Sequence, residues 1–559
     1  MSKMTGAQAV VEAFSREGVE VVFGLPGGQC LPLFDALYDA KFKVVLVRHE
    51  QGAVHMAEGY TRACGKPGAV IVTSGPGATN TVTGIADAYM DSIPMVVLTG
   101  QVKTHLIGND AFQEADITGI TRPITKYNYL VKDIKDLPRV IKEAFYIATH
   151  GRPGPVLIDF PSDISLAEID FEYPDSVNIR GFKPTIVGHP GQIKRAAKLI
   201  MESKRPVLYI GGGVVSAGAS KELIDLAEKT NIPCTTTLMG IGAFPGAHRL
   251  ALGMLGMHGT VYANKAIFES DLVIAVGARF DDRVTGDLTK FAPKAKIVHI
   301  DIDPSGIAKS ILVDVPIVGD AKNILQELIK SVGPADTVEW IAQVERWKAE
   351  SPLRFQEDGE LRPQYVIRRL CQILGQDAIV ATDVGQHQMW TTQYYTVGGP
   401  NQFISSGGLG TMGFGFPAAI GAQFACPNKT VVCISGDGSF QMNLQELSTA
   451  VIHKLPVKIA ILNNQYLGMV RQWQEFFYKR RYSHTIMTGN PDFVAVAKAY
   501  QAAGIHVGKK SEVDDAIRWS QTITDRPCVM EFAVTREENV FPMIPAGKSV
   551  EQLMDNGIG

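Results

Sequence analysis

The sequence predicts an α/β protein with three doubly wound parallel-sheet domains. Three observations carry that prediction. Short apolar runs rich in Val and Ile alternate with amphipathic helical stretches, the pattern of βαβ units. Most of these runs end in glycine-rich or acidic turns, and the ends of parallel strands are where such sheets hold ligands. Finally, 559 residues exceed what one hydrophobic core accommodates, so several cores are needed.

The first domain, 1–180, opens with an amphipathic helix over Gly6–Glu17. A strand over Val19–Phe23 runs into Gly24-Leu25-Pro26-Gly27-Gly28, and another, Val44–Val47, into Arg48-His49-Glu50. The helix expected next, Ala53–Cys64, has small residues where it must lie close to the sheet. A third strand, Ala69–Thr73, stops at Ser74-Gly75-Pro76-Gly77-Ala78-Thr79-Asn80, and Pro94–Thr99 and Pro155–Phe160 supply two more. Phe112-Gln113-Glu114 falls on a loop near the strand ends.

A Pro- and Gly-punctuated linker over Gly181–Pro190 precedes the second domain, 190–335. Helix Gly191–Ser203 is followed by strands Val207–Ile210, Leu272–Val276 and Lys296–Ile300. These feed Gly211-Gly212-Gly213, then Gly277-Ala278-Arg279-Phe280-Asp281-Asp282-Arg283, then Asp301-Ile302-Asp303-Pro304. Strands ending this way describe a Rossmann-like dinucleotide fold, although the triple glycine lacks GxGxxG spacing and suits close packing equally well. Gly253–Gly259, containing Met257 and His258, forms a second backbone-rich cradle.

A charged helical connector over 335–365 leads to the third domain, 363–540. Helix Val366–Leu374 and strand Ala378–Thr382 deliver Asp383-Val384-Gly385-Gln386-His387, and Ser405–Gly415 is a glycine-rich segment before a tightly packing helix from Pro417. Lys429–Ile434 reads as a buried strand, and Gly436-Asp437-Gly438 as a tight turn into a helix beginning near Gln441. Val457–Leu462, the next strand, brings Asn463-Asn464 to the same sheet edge. A carboxylate and an amide oxygen there, beside a helix N-terminus, suit a hard divalent cation holding a diphosphate. Cys528–Val534 is the last strand, and the tail, 541–559, is expected to fold over an opening.

Composition bounds the partners. Lys and Arg number 54 against 57 Asp and Glu, a formal net charge of −3, which gives no electrostatic footprint for nucleic acid. No apolar run approaches the roughly 18 residues of a membrane span. Met1–Thr5 leads into a helical pattern without the features of a signal peptide, so a cytoplasmic location is expected. The seven cysteines form no CxxC, which favours reduced thiols over disulfides or a zinc site.

Gly-Asp-Gly alone is an ordinary loop and Asn-Asn an ordinary turn. Together, at a separation of fewer than thirty residues, they resemble the thiamine-diphosphate fingerprint. The resemblance implies Asp437, Asn464 and the Tyr466 carbonyl as Mg²⁺ ligands, with Gly436, Gly438 and Ser439 beside the diphosphate. Thiamine diphosphate must lose a carbon-bound proton, and a carboxylate bonded to its aminopyrimidine promotes that loss. Glu50, at the end of a strand of valines and leucine, resembles the family's glutamate.

The strings Leu25-Pro26-Gly27-Gly28, Ala111-Phe112-Gln113-Glu114, Gly256-Met257-His258-Gly259, Gly277–Arg283, Gly410–Gly415 and Leu467-Gly468-Met469-Val470-Arg471-Gln472-Trp473 narrow the likeness. Over nearly its whole length the chain resembles the catalytic large subunits of the FAD-containing acetohydroxyacid (acetolactate) synthases. That implies thiamine diphosphate, Mg²⁺ and a structural FAD. It places Pro26, Gly385, Gln386, His387, Gly410, Met412, Leu467, Gly468 and Met469 against thiamine diphosphate, with Met412 propping it in a bent form. It places Gly211, Gly212, Gly213, Met257, His258, Arg279, Asp301 and Asp320 along FAD. Arg279 would bind the carboxylate of a second 2-ketoacid, Trp473 and Met257 would shape its pocket, and Gly28 and Gln113 would approach the reacting carbons.

The reaction implied is decarboxylation of pyruvate and its joining to pyruvate or 2-ketobutyrate, giving 2-acetolactate or 2-aceto-2-hydroxybutyrate for branched-chain amino acids. Family geometry sets Glu50 of one subunit against Asp437 of another, so a homodimer or tetramer is expected, with a regulatory small subunit. One departure is Ser162, where many members have Lys. Two rivals stay open. The first is another thiamine enzyme of the pyruvate oxidase or glyoxylate carboligase type; Glu50 argues against the latter, and Arg279 and Trp473 against both. The second is a catalytically silent paralogue, against which Glu50, Asp437 and Asn464 argue.

Overall fold

The structure is a computed structural model in which residues 3–555 are described, so the last four residues of the predicted tail lie outside it. Three six-stranded sheets, all parallel, form its frame. β1 (Lys3–Thr5) stands outside them. The first sheet contains β2 (Val21–Leu25), β3 (Lys43–Leu46), β4 (Gly68–Val72), β5 (Met95–Gln101), β6 (Tyr127–Leu130) and β7 (Pro155–Pro161), in the order β3-β2-β4-β5-β7-β6. β8 (Glu168–Asp170) then pairs antiparallel with β1.

The second sheet contains β9 (Pro206–Ile210), β10 (Cys234–Thr236), β11 (Ala251–Met254), β12 (Leu272–Val276), β13 (Lys296–Asp301) and β14 (Val315–Val318), in the order β11-β10-β9-β12-β13-β14. The third contains β15 (Ile379–Thr382), β16 (Phe403–Ser405), β17 (Val431–Gly436), β18 (Lys458–Asn463), β19 (Ala503–Val507) and β20 (Cys528–Ala533), in the order β16-β15-β17-β18-β20-β19. In each sheet the chain first winds outward on one side and then restarts on the other. The reversals fall between β2 and β4, β9 and β12, and β15 and β17. Crevices at such points, beyond the carboxyl ends of the strands, are where open α/β sheets bind ligands.

Besides the short β1–β8 pair, the strands of the three sheets missing from the sequence reading are β6, β10, β11, β14, β16 and β19. Five of these six lie at sheet edges, where a short, partly exposed strand needs no apolar run. The sixth, Cys234-Thr235-Thr236, is buried but carries only three residues of signal.

The first and third sheets are joined by close helix packing. Helix Glu50–Cys64 lies against helix Gly415–Ala425 with glycine on both sides of the contact. A Cβ on Gly59 would fall inside contact distance of the Ala418 carbonyl oxygen, and one on Gly421 inside that of Met56. One apolar cluster accordingly runs from Phe23 and Val70 through Met56 and Ile420 to Val431 and Ile459. The described part of the tail lies against the second unit: the Ile544 N–H donates to the Met257 carbonyl (2.8 Å), and the Asp287 N–H donates to that of Lys548 (3.1 Å).

Candidate active site

β17 and β18 are neighbours in parallel register, with Gly436 opposite Leu462, so Asp437 and Asn464 emerge side by side. Gly436-Asp437-Gly438 does not form the separate turn expected from the sequence. Gly436 ends the strand in extended backbone, and Asp437 itself begins a single helical turn, Asp437–Phe440. Gly438 lies close under Leu467, a Cβ there being 2.8 Å from its Cδ2, so a larger residue would crowd this turn.

Asp437 is buried, and burial pushes its carboxyl up to about 6 against the lowering effect of an Asn490 hydrogen bond and local backbone N–H groups. Asn490 Nδ2 donates to Asp437 Oδ2 at 2.6 Å and Gln441 Nε2 to the Asp437 carbonyl at 3.0 Å. Asn464 Oδ1 accepts the Tyr466 N–H at 3.1 Å, across a left-handed Gln465 at φ 58°. A carboxylate and an amide oxygen thus stand at neighbouring strand ends, hard oxygen donors that suit Mg²⁺ rather than a soft metal.

The neighbouring strand end supports this edge. Asp383 accepts the backbone N–H groups of Val384 (2.9 Å), Gly413 (2.8 Å) and Gly415 (3.3 Å), which fixes the Gly410–Gly415 loop. Ser439 Oγ donates to the Val384 carbonyl at 3.1 Å. Gln386 donates to Gln472 Oε1 (2.8 Å), tying the start of its helix to the helix that carries Trp473. His387 is buried beneath Gly436, where a Cβ would meet its Nδ1 at 2.9 Å, and burial drives its pKa down to about 3. Its Nε2 has no hydrogen-bond partner among the described residues.

A cavity of about 1360 Å³ lies where the three units meet, with Met90, Asp91 and Arg152 of the first unit also on its wall. Its walls include Gly211, Gly212, Gly213, Met257, His258, Arg279, Asp301 and Asp320 from the β9–β12 switch and its surroundings. They also include Gly385, Gly410, Met412, Met469 and Trp473 from the third unit. The volume exceeds the roughly 300–1,000 Å³ of an ordinary small-ligand pocket, so there is room for a dinucleotide and a substrate together. Gly213 packs so closely on Gly277 that a Cβ would stand 2.6 Å from its Cα. His258 is buried, with Nδ1 unpartnered and its pKa lowered to about 4, and burial raises Asp301 to about 6. A backbone cradle and an unpartnered buried imidazole nitrogen facing an open cavity fit a flavin dinucleotide.

Arg279 reaches the same cavity. Its side chain is 42% exposed, and Asp281, its ion-pair partner, is 4.0 Å away, leaving the guanidinium fork open to a ligand carboxylate. Arg283 lies over the Trp473 ring at 5.8 Å, which holds the indole at the rim.

The remaining candidates gather elsewhere, at the β2–β4 switch. Glu50 is not the strand-end residue expected from the sequence. It is the first residue of helix Glu50–Cys64, because His49 Nδ1 caps that helix by accepting the Gln51 N–H at 3.1 Å. The Glu50 carboxylate is buried and accepts Asn80 Nδ2 at 2.9 Å. A Cβ on Gly77 would stand 3.4 Å from its Oε1, and one on Gly27 2.5 Å from Thr73. Gln113, left-handed at φ 60°, lies with its Cα 3.0 Å from where a Gly75 Cβ would be, and Phe112 beside it is exposed. Nothing stands within 4 Å of a Cβ built on Gly28. None of Pro26, Gly28, Glu50 or Gln113 lines the large cavity.

Sequence reasoning missed Asn80, Asp383, Glu446 and Asn490. Asp383 carried a signal, an acidic residue at a strand end beside the fingerprint. Asn490 carried none, since it lies in a loop without periodicity.

Three domain families match the chain: the N-terminal TPP binding domain of thiamine pyrophosphate enzymes over residues 4–120, their central domain over 193–328, and their C-terminal TPP binding domain over 383–532. Acetolactate synthase isozyme 3 large subunit of Escherichia coli is 48% identical over 99% of both chains. The acetolactate synthase large subunit of Haemophilus influenzae is 47% identical over 99% of this chain and 98% of its own. That of Corynebacterium glutamicum is 50% identical over 98% of this chain and 89% of its own. No helix among the described residues is long and apolar enough to cross a membrane. With this identity along the full chain, the three matching domain families and the three parallel sheets, the chain belongs to the acetolactate synthase large subunits, within the thiamine-diphosphate enzymes.

Proposed function

We propose that the protein decarboxylates pyruvate and joins the two-carbon unit to a second 2-ketoacid, forming 2-acetolactate from pyruvate and 2-aceto-2-hydroxybutyrate from 2-ketobutyrate. The observation that carries this reading is the meeting of Arg279, Met257 and Trp473, from two different sheets, on the cavity that also holds Gly410 and Met412. A carboxylate-binding fork beside an apolar wall is what an acceptor 2-ketoacid requires, and a simple decarboxylase has no use for it.

Thiamine diphosphate, when bound, supplies an acidic carbon that adds to a ketoacid carbonyl and takes up the electron pair left by carbon dioxide. The chain's own residues do the rest. Asp437, Asn464 and the Tyr466 carbonyl hold Mg²⁺, with Gly436, Gly438, Ser439, Leu467 and Gly468 around the diphosphate. Gly385, Gln386, His387, Met469, Pro26 and Met412 would hold the rest of the cofactor. Glu50 keeps a proton on the aminopyrimidine, and Arg279 fixes the acceptor's carboxylate while Trp473 and Met257 exclude water around its alkyl group. Gly28 and Gln113 close the space above the reacting carbons. Gly211–Gly213, His258, Asp301 and Asp320 would hold FAD on their side of the cavity, where it would serve as structure.

One chain leaves Glu50, Gly28 and Gln113 away from the cavity, which supports a site completed by a second copy: a dimer or tetramer, joined by a regulatory small subunit. We take the domains as 1–180 (pyrimidine-binding), 190–335 (FAD-binding) and 363–540 (diphosphate-binding), with the tail after 541, and the location as cytoplasmic. The test is purified protein with pyruvate, thiamine diphosphate and Mg²⁺. Acetolactate as the main product supports the reading; acetaldehyde, or acetate with peroxide, refutes it.

A further inference from the structure

We infer that Glu446 is a positioning residue for Glu50, holding it from the third unit; this rests on the role given to Glu50 above. Glu446 is 0% exposed, yet it is a carboxylate, and two of its hydrogen bonds hold the segment before Glu50. Its Oε1 accepts the backbone N–H groups of Arg48 and His49, both at 3.0 Å. Its Oε2 accepts Thr449 Oγ1 at 2.6 Å and is 3.3 Å from the Arg48 nitrogen. Arg48 Nε adds a bond to Ser448 Oγ at 3.1 Å. The N–H groups gripped belong to the two residues immediately before Glu50, the first residue of its helix.

The sequence makes room for this grip. A Cβ on Gly52 would stand 2.8 Å from Glu446 Oε1, so any larger residue displaces the carboxylate. From the other side, Asn80 fixes the Glu50 carboxylate itself at 2.9 Å. Side chain and backbone of Glu50 are therefore held separately, the side chain by Asn80 and the backbone leading into it by Glu446 together with the His49 cap. Glu446 also follows closely on the diphosphate helix: its N–H donates to the Asn443 carbonyl (3.1 Å), and Asn443 Nδ2 donates to that of Gly413 (2.7 Å). If sites pair Glu50 of one copy with Asp437 of another, this contact links the diphosphate half of one site to the Glu50 half of the next.

The test uses the holoenzyme with thiamine diphosphate and Mg²⁺, reading hydrogen–deuterium exchange at the cofactor's reactive carbon, cofactor affinity and Tm. Displacement of a reacting group by about 1 Å costs on the order of a hundredfold. Glu446→Ala is expected to slow exchange by about ten- to a hundredfold with cofactor affinity retained, and Glu446→Gln, which keeps an acceptor oxygen, to restore it to within a few-fold. Gly52→Ala, which removes no hydrogen bond, is expected to slow exchange too and serves if Glu446→Ala does not fold. Native exchange in Glu446→Ala or Gly52→Ala, or slowed exchange that Glu446→Gln fails to restore, overturns the inference. Glu50→Gln is the control: native exchange there overturns the reading of Glu50 itself.

Discussion

Replacing Arg279 by alanine separates the two halves of the proposed reaction. Decarboxylation needs only the first ketoacid, the cofactor and Glu50, whereas carboligation needs a second ketoacid held by its carboxylate. The structure sets the magnitude. A charge-assisted hydrogen-bonded pair is worth about 1.5–3 kcal/mol, and the partial exposure of Arg279 places this one near the lower figure. Asp281, at 4.0 Å, is too distant to have spent the guanidinium's hydrogen bonds, so little is recovered within the protein when it is lost. Arg279→Ala is therefore expected to raise the acceptor KM about tenfold and to divert the two-carbon unit towards acetaldehyde, with pyruvate consumption largely kept. Trp473→Leu removes apolar contact instead. Since a methylene in such a pocket discriminates by about 1–3 kcal/mol, preference for 2-ketobutyrate over pyruvate should fall while turnover survives. Competition assays with both ketoacids read these effects. Normal acceptor saturation in Arg279→Ala, or an unchanged product ratio in Trp473→Leu, refutes the placement of the acceptor.

Three further outcomes are expected. Glu50→Gln keeps a hydrogen bond to Asn80 but loses the charge, and kcat should drop by about 10²–10⁴ with cofactor affinity little changed, as steady-state kinetics and a binding titration will show. Asp437, raised to about 6 by burial, binds Mg²⁺ only when ionised; at pH 5 about a tenth remains so, and Mg²⁺ affinity in a calorimetric titration should fall about tenfold per pH unit below 6 and be flat above 7. The sign for stability is opposite: in the metal-free protein the raised pKa contributes stability below pH 4 that is lost as pH rises through 6, so the Tm gain from added Mg²⁺ should be larger at pH 7 than at pH 5. Gly421→Val forces a side chain onto the Met56 carbonyl and should cost at least about 1–3 kcal/mol, read as a lower Tm, with activity reduced because the strained helix begins at Glu50.

The parts of this molecule that were legible in its sequence are those where one residue type serves one physical need. The interior strands β4, β5, β12, β17 and β18 are buried on both faces, and their apolar runs announced them. Gly436, Asp437 and Asn464 were legible because two paired strands deliver them to one edge at fixed spacing. Edge strands such as β6 and β16 gave no run to read. Glu50 was placed correctly in the chain but on the wrong element, since its helix starts three residues early through a histidine cap, a weak signal beside Ser or Asp. Glu446 and Asn490 act through contacts with residues distant in the chain, which no local pattern encodes.

The central claim, a site divided between copies of the chain, meets its most direct test in a mixture of two inactive variants. Glu50→Gln and Asp437→Ala are each expected to make almost no acetolactate alone. Dissociated, mixed in equal amounts and reassociated, half of the dimers should be hybrids, each with one site that is intact and one doubly altered. Acetolactate formation should then recover to about a quarter of the native rate. A mixture that stays as inactive as its components after subunit exchange has been verified would place Glu50 and Asp437 of one chain in the same site and contradict the account.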